Sequence, residues 1–506
     1  MKKQIKHIVA ASILVIGLAQ TSCKDDFLDT TDPTRVGADL FYKDQKQLEQ
    51  ALNGVYGYLQ AVTNTAYIFQ EFNTDNTTLD FNPLDRGGAA GWEAFEFSTV
   101  NSGNGEISNM WNAYYAALYN VNFTLEKIAA STATIDPTAK AEIEGQLKFL
   151  RAYYYFHLVQ YFGDVVLVTS TLKTPDEAFT LLRSPEAEVY AQIEKDLKEA
   201  AEALPVKYNA ANAGRVTKGA ALSLLGKVYL TKKQYAEAVT TLQQVLPLGY
   251  GLNTNYADNF DPTKKNGIES VFEVQYQGGN DLGEWSNFIY VFAPRLSLGA
   301  ITGYANVNPS GRNIPTRDMI AAYEPNDLRK DISLKEGYTN AKGEYIAIPF
   351  VNKYNYKHTI AGRTDTNWPV IRYADVLLML AEAINEQTGP TDEAYGYLNQ
   401  VRARAGLDPV SGLDANAFRE TVLHERRVEL AFENHRWFDL RRTKNPTELA
   451  AFLNAYAAQE KASPTVDRGG VAFNALDYVY EPHEYLFPIP APQILINDKL
   501  TQNPGY

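Results

Sequence analysis

The acidic side chains near the C-terminus are the first residues in this chain that could do chemistry. Glu425, Glu429 and Glu433 are spaced by four, which would place them on one face of a helix, and Asp439 follows. Two carboxyl groups can hydrolyse a glycosidic bond if one has a raised pKa. Because nearby guanidinium groups keep carboxylates ionised, we interpret these acids as members of a structural ion-pair network. The neighbouring arginines are Arg426, Arg427, Arg436, Arg441 and Arg442.

Other catalytic and metal-binding patterns are missing from the sequence. The six histidines form no pair at metal-ligand spacing, and His424-Glu425 lacks the second histidine of a zinc-protease helix. No Gly-x-Ser-x-Gly sequence occurs. The segment from Gly219 to Lys227 resembles a phosphate-binding loop only superficially, because the glycine spacing is too long. We therefore expect no catalytic residue, no cofactor and no metal site.

Aromatic side chains in polar loops suggest binding chemistry. Trp92 ends a glycine-rich loop that begins at Asn82, and Trp285 lies in a second loop of the same character. Aromatic faces stack on the C–H surfaces of sugars, while Asn, Asp and Arg bond the hydroxyl groups. The alternative for each ring is that it packs beneath its own loop. The ligand-binding candidates are Arg86, Trp92, Trp285, Tyr304, Arg312 and Trp368. Trp111 and Trp437 lie on helical stripes and are predicted to be core residues.

Composition excludes several classes of protein. The chain has 506 residues, of which 45% are hydrophobic and 21% charged, as in ordinary globular proteins. There are 47 Lys and Arg against 60 Asp and Glu, giving a formal net charge of −13. A general nucleic-acid-binding protein needs a basic surface to neutralise phosphates. We therefore expect no nucleic-acid partner.

The N-terminal segment reads as a targeting signal. Basic residues at positions 2, 3 and 6 precede an apolar run over 8–19, the pattern of a secretory signal peptide. Cys23, the single cysteine of the chain, follows the small residue Ser22, as in a bacterial lipobox. A lipid on Cys23 would anchor the protein to a membrane without a transmembrane helix. The alternative is ordinary signal cleavage that leaves Cys23 as a free thiol.

Helices must position these residues, because apolar residues recur at three- and four-residue steps along much of the chain. Periodic segments cover 110–128 and 139–162, and Ser184 with Pro185 predicts the start of a helix that runs to about Leu204. Two helical hairpins, at 215–246 and 372–404, have the small-residue crossings of tetratricopeptide repeats. An ordinary bundle of helical hairpins is the alternative.

Long irregular segments separate these helical units. Residues 62–106 and 250–370 are rich in Asn, Gly, Thr, Asp and aromatic residues, and we expect them to form long loops. Within the second segment, Ser270 to Tyr276 alternates and predicts one strand. Loops of this length inside a compact protein are usually functional. The predicted fold is therefore mostly α, a tetratricopeptide-like scaffold of helical hairpins with long irregular loops and a few short strands.

Several motifs occur together over nearly the whole chain after the signal segment. They are Cys23-Lys-Asp-Asp-Phe-Leu-Asp29, Arg151-Ala-Tyr-Tyr-Tyr-Phe156, Arg215-Val-Thr-Lys-Gly219, Arg372-Tyr-Ala-Asp-Val-Leu-Leu378, Glu425-Arg-Arg427 with Arg436-Trp-Phe-Asp-Leu440, and the ending Phe487-Pro-Ile-Pro490. In combination these motifs resemble the SusD/RagB family of surface lipoproteins. Two positions depart from the family pattern, Val166 in place of a proline and Asn434 in place of a glycine.

The resemblance implies an organisation as well as a function. We expect a lipoprotein signal peptide over 1–22, an N-terminal helical region over 23–249, and a C-terminal region with the ligand-side loops over 250–506. The family implies a non-catalytic, lipid-anchored protein on the outside of the outer membrane that binds glycans. It would hand them to a SusC-like TonB-dependent transporter, which the tetratricopeptide face would contact. Capture of peptides is the alternative, and a secreted glycoside hydrolase is a weaker one.

Overall fold

A computed structural model describes residues 41–81, 91–132, 134–279 and 281–506. The predicted signal peptide over 1–22, the predicted lipidation site Cys23 and the candidate Arg86 lie outside these ranges. Most of the regular structure in the described ranges is helical, as the sequence predicted.

The first long helix was not predicted. Its N-cap Asp44 accepts a hydrogen bond from the Gln47 backbone N–H at 2.8 Å. Its buried residues include Leu48, Leu52 and Val55, which recur at helical spacing. It continues to Gln70, so the expectation that residues 62–106 form a loop is wrong for residues 62–70. The first elements are α1 (Gln45–Gln70), β1 (Thr77–Thr78), α2 (Glu93–Glu96), α3 (Gly105–Ala130) and α4 (Pro137–Phe162).

The next helices form the predicted repeat-like stack. The sequence placed Ser184 as a helix N-cap, but the helix begins at Glu186 with Pro185 at the cap, and Ser184 pairs with Val165 in an isolated β-bridge. Within the hairpin predicted at 215–246, residues 232–234 separate two helices, and Lys233 has a φ of 59°. These elements are α5 (Pro175–Ala178), α6 (Glu186–Ala203), α7 (Lys218–Thr231) and α8 (Tyr235–Gln243).

The middle of the chain carries short elements inside long connections. The strand predicted over 270–276 is present as β2, but its antiparallel partner β8 was not predicted. β8 contains Pro369, which lacks the N–H of a ladder donor and weakens the strand signal. The elements are β2 (Ser270–Val274), α9 (Phe288–Phe292), α10 (Gly299–Thr302), β3 (Ile314–Pro315), α11 (Arg317–Ala322), α12 (Lys330–Ser333), β4 (Leu334–Lys335), β5 (Tyr338–Thr339), β6 (Tyr345–Ile346), β7 (Phe350–Val351) and β8 (Trp368–Arg372).

The remaining helices complete the stack of helical hairpins. α6 packs against α4 and α7, and α7 packs against α8. α8 then packs against the first helix of the second predicted hairpin. That helix also contacts the helix that follows the hairpin. These helices are α13 (Tyr373–Thr388), α14 (Asp392–Arg404), α15 (Ala415–Glu429), α16 (Arg436–Thr443), α17 (Pro446–Ala462) and α18 (Ala491–Ile496). This succession of antiparallel neighbours confirms the predicted tetratricopeptide-like scaffold.

One apolar core joins the early and late parts of the chain. Its buried residues run from Leu48 in α1 to Ile489 near the C-terminus. Trp111 and Trp437 belong to it, with 4% and 3% of their surface exposed, which confirms both as core residues. The irregular segments are therefore attached to a scaffold that both ends of the chain help to build.

The C-terminal acids form the ion-pair network that the sequence suggested: the expected Arg426 and Arg442 pair with Asp439, whereas Glu429 has partners from elsewhere in the chain. Glu429 contacts Arg329 at 3.0 Å, Arg372 at 2.7 Å and Arg404 at 2.5 Å. These arginines come from distant segments and not from the arginines beside Glu429 in the sequence. Helix α15 ends at Glu429, so Glu433 does not continue its helical face as expected. Phe432 and Asn434 adopt positive φ angles of 63° and 65°, which turn the chain away from the helix axis.

Candidate ligand-binding surface

The short helix α9 organises the loops that carry the candidate residues. Phe288 packs on Trp368 with 4.7 Å between ring centroids, and Phe292 packs on Tyr67 at 5.3 Å. The carbonyl groups of this helix also accept hydrogen bonds from the facing loop, where the Arg312 N–H donates to the Val291 carbonyl at 3.0 Å. Because both phenylalanines are buried, α9 holds the flanking loops against the core.

Trp92 lies beside the C-terminal end of α9. The Arg312 guanidinium carbon lies over the indole, 4.5 Å from the ring centroid, which is a cation–π contact. Arg312 Nη1 also donates a hydrogen bond to the Tyr67 hydroxyl at 3.0 Å. Trp92 is partly exposed and also contacts the apolar core. The structure therefore brings two sequence candidates, Trp92 and Arg312, together as one unit.

Trp285 lies before the N-terminal end of α9 and has a similar companion. The Arg363 guanidinium carbon is 4.2 Å from the indole centroid. Arg363 also forms an ion pair with Asp281 at 2.5 Å. The next residue, Ser286, exchanges two backbone hydrogen bonds with Thr364 at 3.0 and 2.8 Å. The loop of Trp285 is thus tied to the loop of Arg363, and one face of the indole is covered by a guanidinium.

A cluster of three rings lies beside α9. The Tyr290 hydroxyl is 2.7 Å from His358 Nε2, and the Tyr304 hydroxyl donates to the His358 carbonyl at 3.0 Å. The Tyr304 and His358 ring centroids are 5.0 Å apart. Tyr304 is partly exposed, whereas only 4% of Tyr290 is exposed. Tyr304, a sequence candidate, is therefore held in place by residues from α9 and from the loop after β7.

Together these residues form what we call the aromatic loop surface. Helix α9 spans five residues, about 7.5 Å at 1.5 Å per residue, and the tryptophan units flank its two ends. Sequence reasoning missed Tyr290, His358 and Arg363. Tyr290 lies in an apolar run that reads as core, and His358 has no metal-ligand partner in the sequence. The aromatic loop surface consists of Trp92, Trp285, Tyr290, Tyr304, Arg312, His358 and Arg363.

Trp368 does not belong to this surface, contrary to the sequence expectation. Only 3% of it is exposed, and its ring stacks on Tyr354 with a centroid distance of 4.9 Å and an interplanar angle of 11°. Phe288 covers another part of the ring. It lies on β8, whose pairing with β2 places it in the core. Its face is therefore occupied by other aromatic rings and is not available to a ligand.

Exposed leucines lie in the same loops. Leu282, Leu296 and Leu298 have 76%, 70% and 46% of their surface exposed. Leu282 is three residues before Trp285, and the other two lie between α9 and Tyr304. Large apolar side chains exposed around aromatic and polar groups are typical of a binding site.

A polar groove adjoins the Trp285 loop. Its volume is about 520 Å³, and it lies between α1 and β2. Gln60 of α1 donates from Nε2 to the Gln275 carbonyl at 2.8 Å, which fixes one wall. The residues that line the groove include Glu284, the neighbour of Trp285, and Arg215. It is within the usual size range of small-molecule sites.

Two carboxyl groups with raised pKa values, the buried Glu96 and the partly exposed Asp80, lie on either side of Trp92 in the sequence. Glu96 is 1% exposed, and its burial raises the pKa to about 8 although the Tyr478 hydroxyl hydrogen-bonds to it. Asp80 accepts the Arg295 backbone N–H at 3.1 Å, and burial also raises the pKa of Asp80. At neutral pH the carboxyl of Glu96 is therefore mostly protonated and acts as an uncharged part of the packing.

Within residues 41–81, 91–132, 134–279 and 281–506, no three or more His, Cys, Asp or Glu side chains gather in a way that could hold a metal ion. In the same part of the chain, no helix has the length and apolar character needed to cross a bilayer.

Comparison with known proteins identifies the class to which this fold and surface belong. The helical-repeat scaffold is shared with solved structures of SusD-like proteins. The model of the SusD family matches residues 330–506, and a model described as "Starch-binding associating with outer membrane" matches residues 26–230. The chain belongs to the SusD-like family.

Individual relatives agree over nearly the whole length. SusD-like protein P2 of Formosa agariphila is 27% identical, and the alignment covers 98% of this chain and 99% of that protein. The crystal structure of a SusD superfamily protein from Parabacteroides distasonis is 28% identical with a TM-score of 0.77, covering 91% of this chain and 99% of that one. A structure described as a laminarin-binding SusD-like protein is 26% identical with a TM-score of 0.74, covering 92% and 100%.

These relatives confirm the family and the mostly helical fold that the sequence motifs indicated. One of these relatives is described as laminarin-binding, which agrees with the expectation that this chain is a binding protein and not an enzyme. The description of the N-terminal family model places the protein with the outer membrane.

Proposed function

We propose that the protein binds oligosaccharides or polysaccharide fragments at the aromatic loop surface and delivers them to a SusC-like TonB-dependent transporter. The observation that carries the proposal is the pair of tryptophans, Trp92 and Trp285, held at opposite ends of α9 with a guanidinium against each. Sugar rings stack on indole faces, and guanidinium groups bond their hydroxyls. Two such units on one surface can grip successive parts of a chain.

The surroundings favour a glycan over a small apolar ligand. Partly exposed Tyr304, packed on His358, offers a third ring near α9. The adjoining groove is lined by amide and charged side chains, including Gln60, Gln275 and Glu284, which can bond hydroxyl groups. The structural relative described as laminarin-binding supports the same class of ligand.

The location in the cell is part of the proposal. Cys23 would carry the lipid, and the acidic residues at 25, 26 and 29 would stand the protein off an anionic lipid surface. The family model described as associating with the outer membrane supports this location. We propose that the chain faces the cell exterior and that the helical hairpins of α3 to α8 contact the transporter.

A screen of glycans by affinity electrophoresis tests the binding proposal. The panel contains laminarin, starch, xylan, pectin and mannan, with casein peptides in a parallel calorimetric arm. We expect retardation by at least one polysaccharide and no heat from peptides. Binding of peptides without retardation by any glycan would replace the glycan proposal by peptide capture.

Co-purification tests the transporter proposal. Full-length protein carrying a C-terminal tag is extracted from outer membranes of its own host in mild detergent. We expect a TonB-dependent transporter as the main co-purifying protein. Recovery of the tagged protein alone, from membranes in which the transporter is present, would contradict a stable complex.

A further inference from the structure

The arginines of this protein differ in whether a carboxylate neutralises their positive charge. In the described part of the chain, most buried guanidinium groups pair with a carboxylate, as Arg151 does with Asp196 at 2.7 Å. Such pairing is expected, because a desolvated positive charge without a partner is costly. Arg312, on the aromatic loop surface, forms no ion pair with any carboxylate of the described residues. The paired arginines include Arg329, Arg372, Arg402, Arg404, Arg426, Arg427, Arg436 and Arg442.

Arg312 is held in place without being neutralised. Its backbone N–H is fixed to the Val291 carbonyl, its Nη1 donates to the Tyr67 hydroxyl at 3.0 Å, and its guanidinium lies on Trp92. Its Nε is shielded from solvent and has no hydrogen-bond partner in the described structure. A fixed guanidinium whose charge has no carboxylate partner among the described residues is suited to bind an anionic group.

A second arginine of the same kind lies nearby. Arg295 follows α9 by three residues, and its Nε is likewise shielded and without a hydrogen-bond partner among the described residues. The loops of the two arginines are joined, because the Gly311 N–H donates to the Ala293 carbonyl at 2.9 Å and Asp80 bridges to both segments. Asp80 contacts the Arg295 backbone N–H and not a guanidinium. The C-terminal end of α9 thus carries two positive side chains and one shared carboxyl group.

We propose that the glycan bound at the aromatic loop surface is anionic, and that Arg312 binds its carboxylate or sulfate group beside Trp92. This inference rests on the proposed glycan-binding function. The protein as a whole has a formal charge of −13, so a local positive site is needed to hold an anion against the overall field. A neutral hydroxyl can accept a hydrogen bond from Arg312 but leaves its charge uncompensated, whereas an anionic group supplies two oxygens and the opposite charge.

Matched glycans that differ only in charge test this inference. The probes are oligogalacturonate and its carboxyl-reduced counterpart for the carboxylate arm, and oligosaccharides of carrageenan and their desulfated counterparts for the sulfate arm. Affinity is measured by isothermal titration calorimetry at 50 and 500 mM NaCl. We expect the charged member of at least one pair to bind about tenfold tighter at low salt, with the advantage reduced at high salt because ions screen the pair.

Arginine variants locate the effect. Arg312→Gln keeps hydrogen-bond donors but removes the charge, and it should abolish the preference for the charged member. Arg312→Lys should keep part of the preference. The matched control is Arg317→Gln, which changes the net charge equally at an exposed arginine that donates to Ser463, and it should leave the preference unchanged.

The outcomes separate this inference from the proposed function. Equal affinity of the wild-type protein for both members of both pairs would overturn the anionic-ligand inference and leave glycan binding intact. A charge preference that survives in folded Arg312→Gln would overturn the assignment to Arg312. Failure of every charged and neutral glycan to bind would contradict the proposed function itself. The wild-type comparison needs no variant, so a misfolded variant does not affect it.

Discussion

Glu429 illustrates how single residues in this protein are used for structure. Three guanidinium groups, those of Arg404, Arg372 and Arg329, lie within 3.0 Å of its carboxylate. Burial alone would raise its pKa, but these three charges hold the pKa of Glu429 well below its usual range. A carboxylate kept ionised in this way cannot donate a proton as a general acid. The cluster therefore joins α14, α15 and β8 and is not a catalytic pair.

Removal of Glu429 should destabilise the protein strongly. Glu429→Ala leaves three buried arginines short of a counter-charge, and we expect a loss of about 3–5 kcal/mol in the free energy of unfolding. Urea denaturation measures this loss. Glu420→Ala, at an exposed position of the same helix, is the control and should change stability by less than about 0.5 kcal/mol. A variant of normal stability with weakened ligand binding would instead place Glu429 in the binding site.

Glu96 should make stability depend on pH. Its pKa is raised from 4.5 to about 8 by burial, so the folded state favours the protonated form. The stability that this group contributes is complete below pH 4.5 and is lost as the pH rises through 8. Glu96→Gln keeps an uncharged side chain of the same shape. We therefore expect its Tm to exceed that of the wild type by several degrees at pH 9 and by much less at pH 5.

The control for this pH effect is Glu106→Gln, a partly exposed position in the first turn of α3. Its difference in Tm from the wild type should be similar at both pH values. If Glu96→Gln and the wild-type protein lose Tm in parallel between pH 5 and pH 9, the carboxyl of Glu96 is not protonated in the folded protein.

At the scale of elements, the hairpin of α7 and α8 depends on one close approach. A Cβ atom placed on Gly226 of α7 would lie 2.4 Å from the Leu242 side chain of α8. Small residues at helix crossings let the two backbones approach closely, as in tetratricopeptide hairpins. The sequence pattern that predicted this hairpin therefore has a direct packing cause.

A single methyl group added at this helix crossing should lower the stability of the protein. We expect Gly226→Ala to destabilise the protein by about 1–3 kcal/mol through overpacking against Leu242. The control is Gly54→Ala in α1, where a Cβ atom would meet nothing within 4 Å, and it should stabilise by about 0.5–1 kcal/mol. Thermal unfolding of both variants measures the two changes in stability. Equal changes in stability at the two glycines would contradict a tight packing contact between Gly226 and Leu242.

The elements that the sequence predicted well are those with strong local signals. Helices α3, α4, α13 and α14 follow from apolar periodicity, and their observed ends lie within a few residues of the predicted ones. Strand β8 was missed because Pro369 argues against a strand, and only its pairing with β2 shows that the strand forms. Ser184 was misplaced as a cap because it bonds across to Val165, a contact with no local signal.

At the scale of the whole molecule, the candidate site depends on contacts that are distant in sequence. Trp92 meets Arg312, and Trp285 meets Arg363, across long stretches of chain. Composition and loop character identified both tryptophans, but residue spacing contains no information on which arginine covers which ring. The prediction for Trp368 was wrong for the same reason. Its neighbours in the sequence are typical of a loop, and they do not indicate that its ring is buried against Tyr354.

The lipid anchor is a whole-molecule prediction. Cys23→Ala removes the acylated thiol, so we expect the protein to leave the outer-membrane fraction and appear in the periplasm or the medium. Fractionation followed by immunoblotting measures this, and protease treatment of whole cells reports which side the wild-type protein faces. A Cys23→Ala protein that stays in the outer membrane and remains protease-accessible would contradict the anchor.

The central claim is that the aromatic loop surface binds a glycan, and calorimetric titration of tryptophan variants with the tightest glycan of the screen tests it most directly. Each stacked ring contributes roughly 1–2 kcal/mol, so Trp92→Ala and Trp285→Ala should each weaken binding about tenfold. The double variant should show no measurable binding, with little change in Tm. Trp111→Ala is the control, which should cost about 3–5 kcal/mol of stability as a core deletion. Folded Trp92→Ala and Trp285→Ala proteins that bind the glycan as tightly as the wild type would contradict the account.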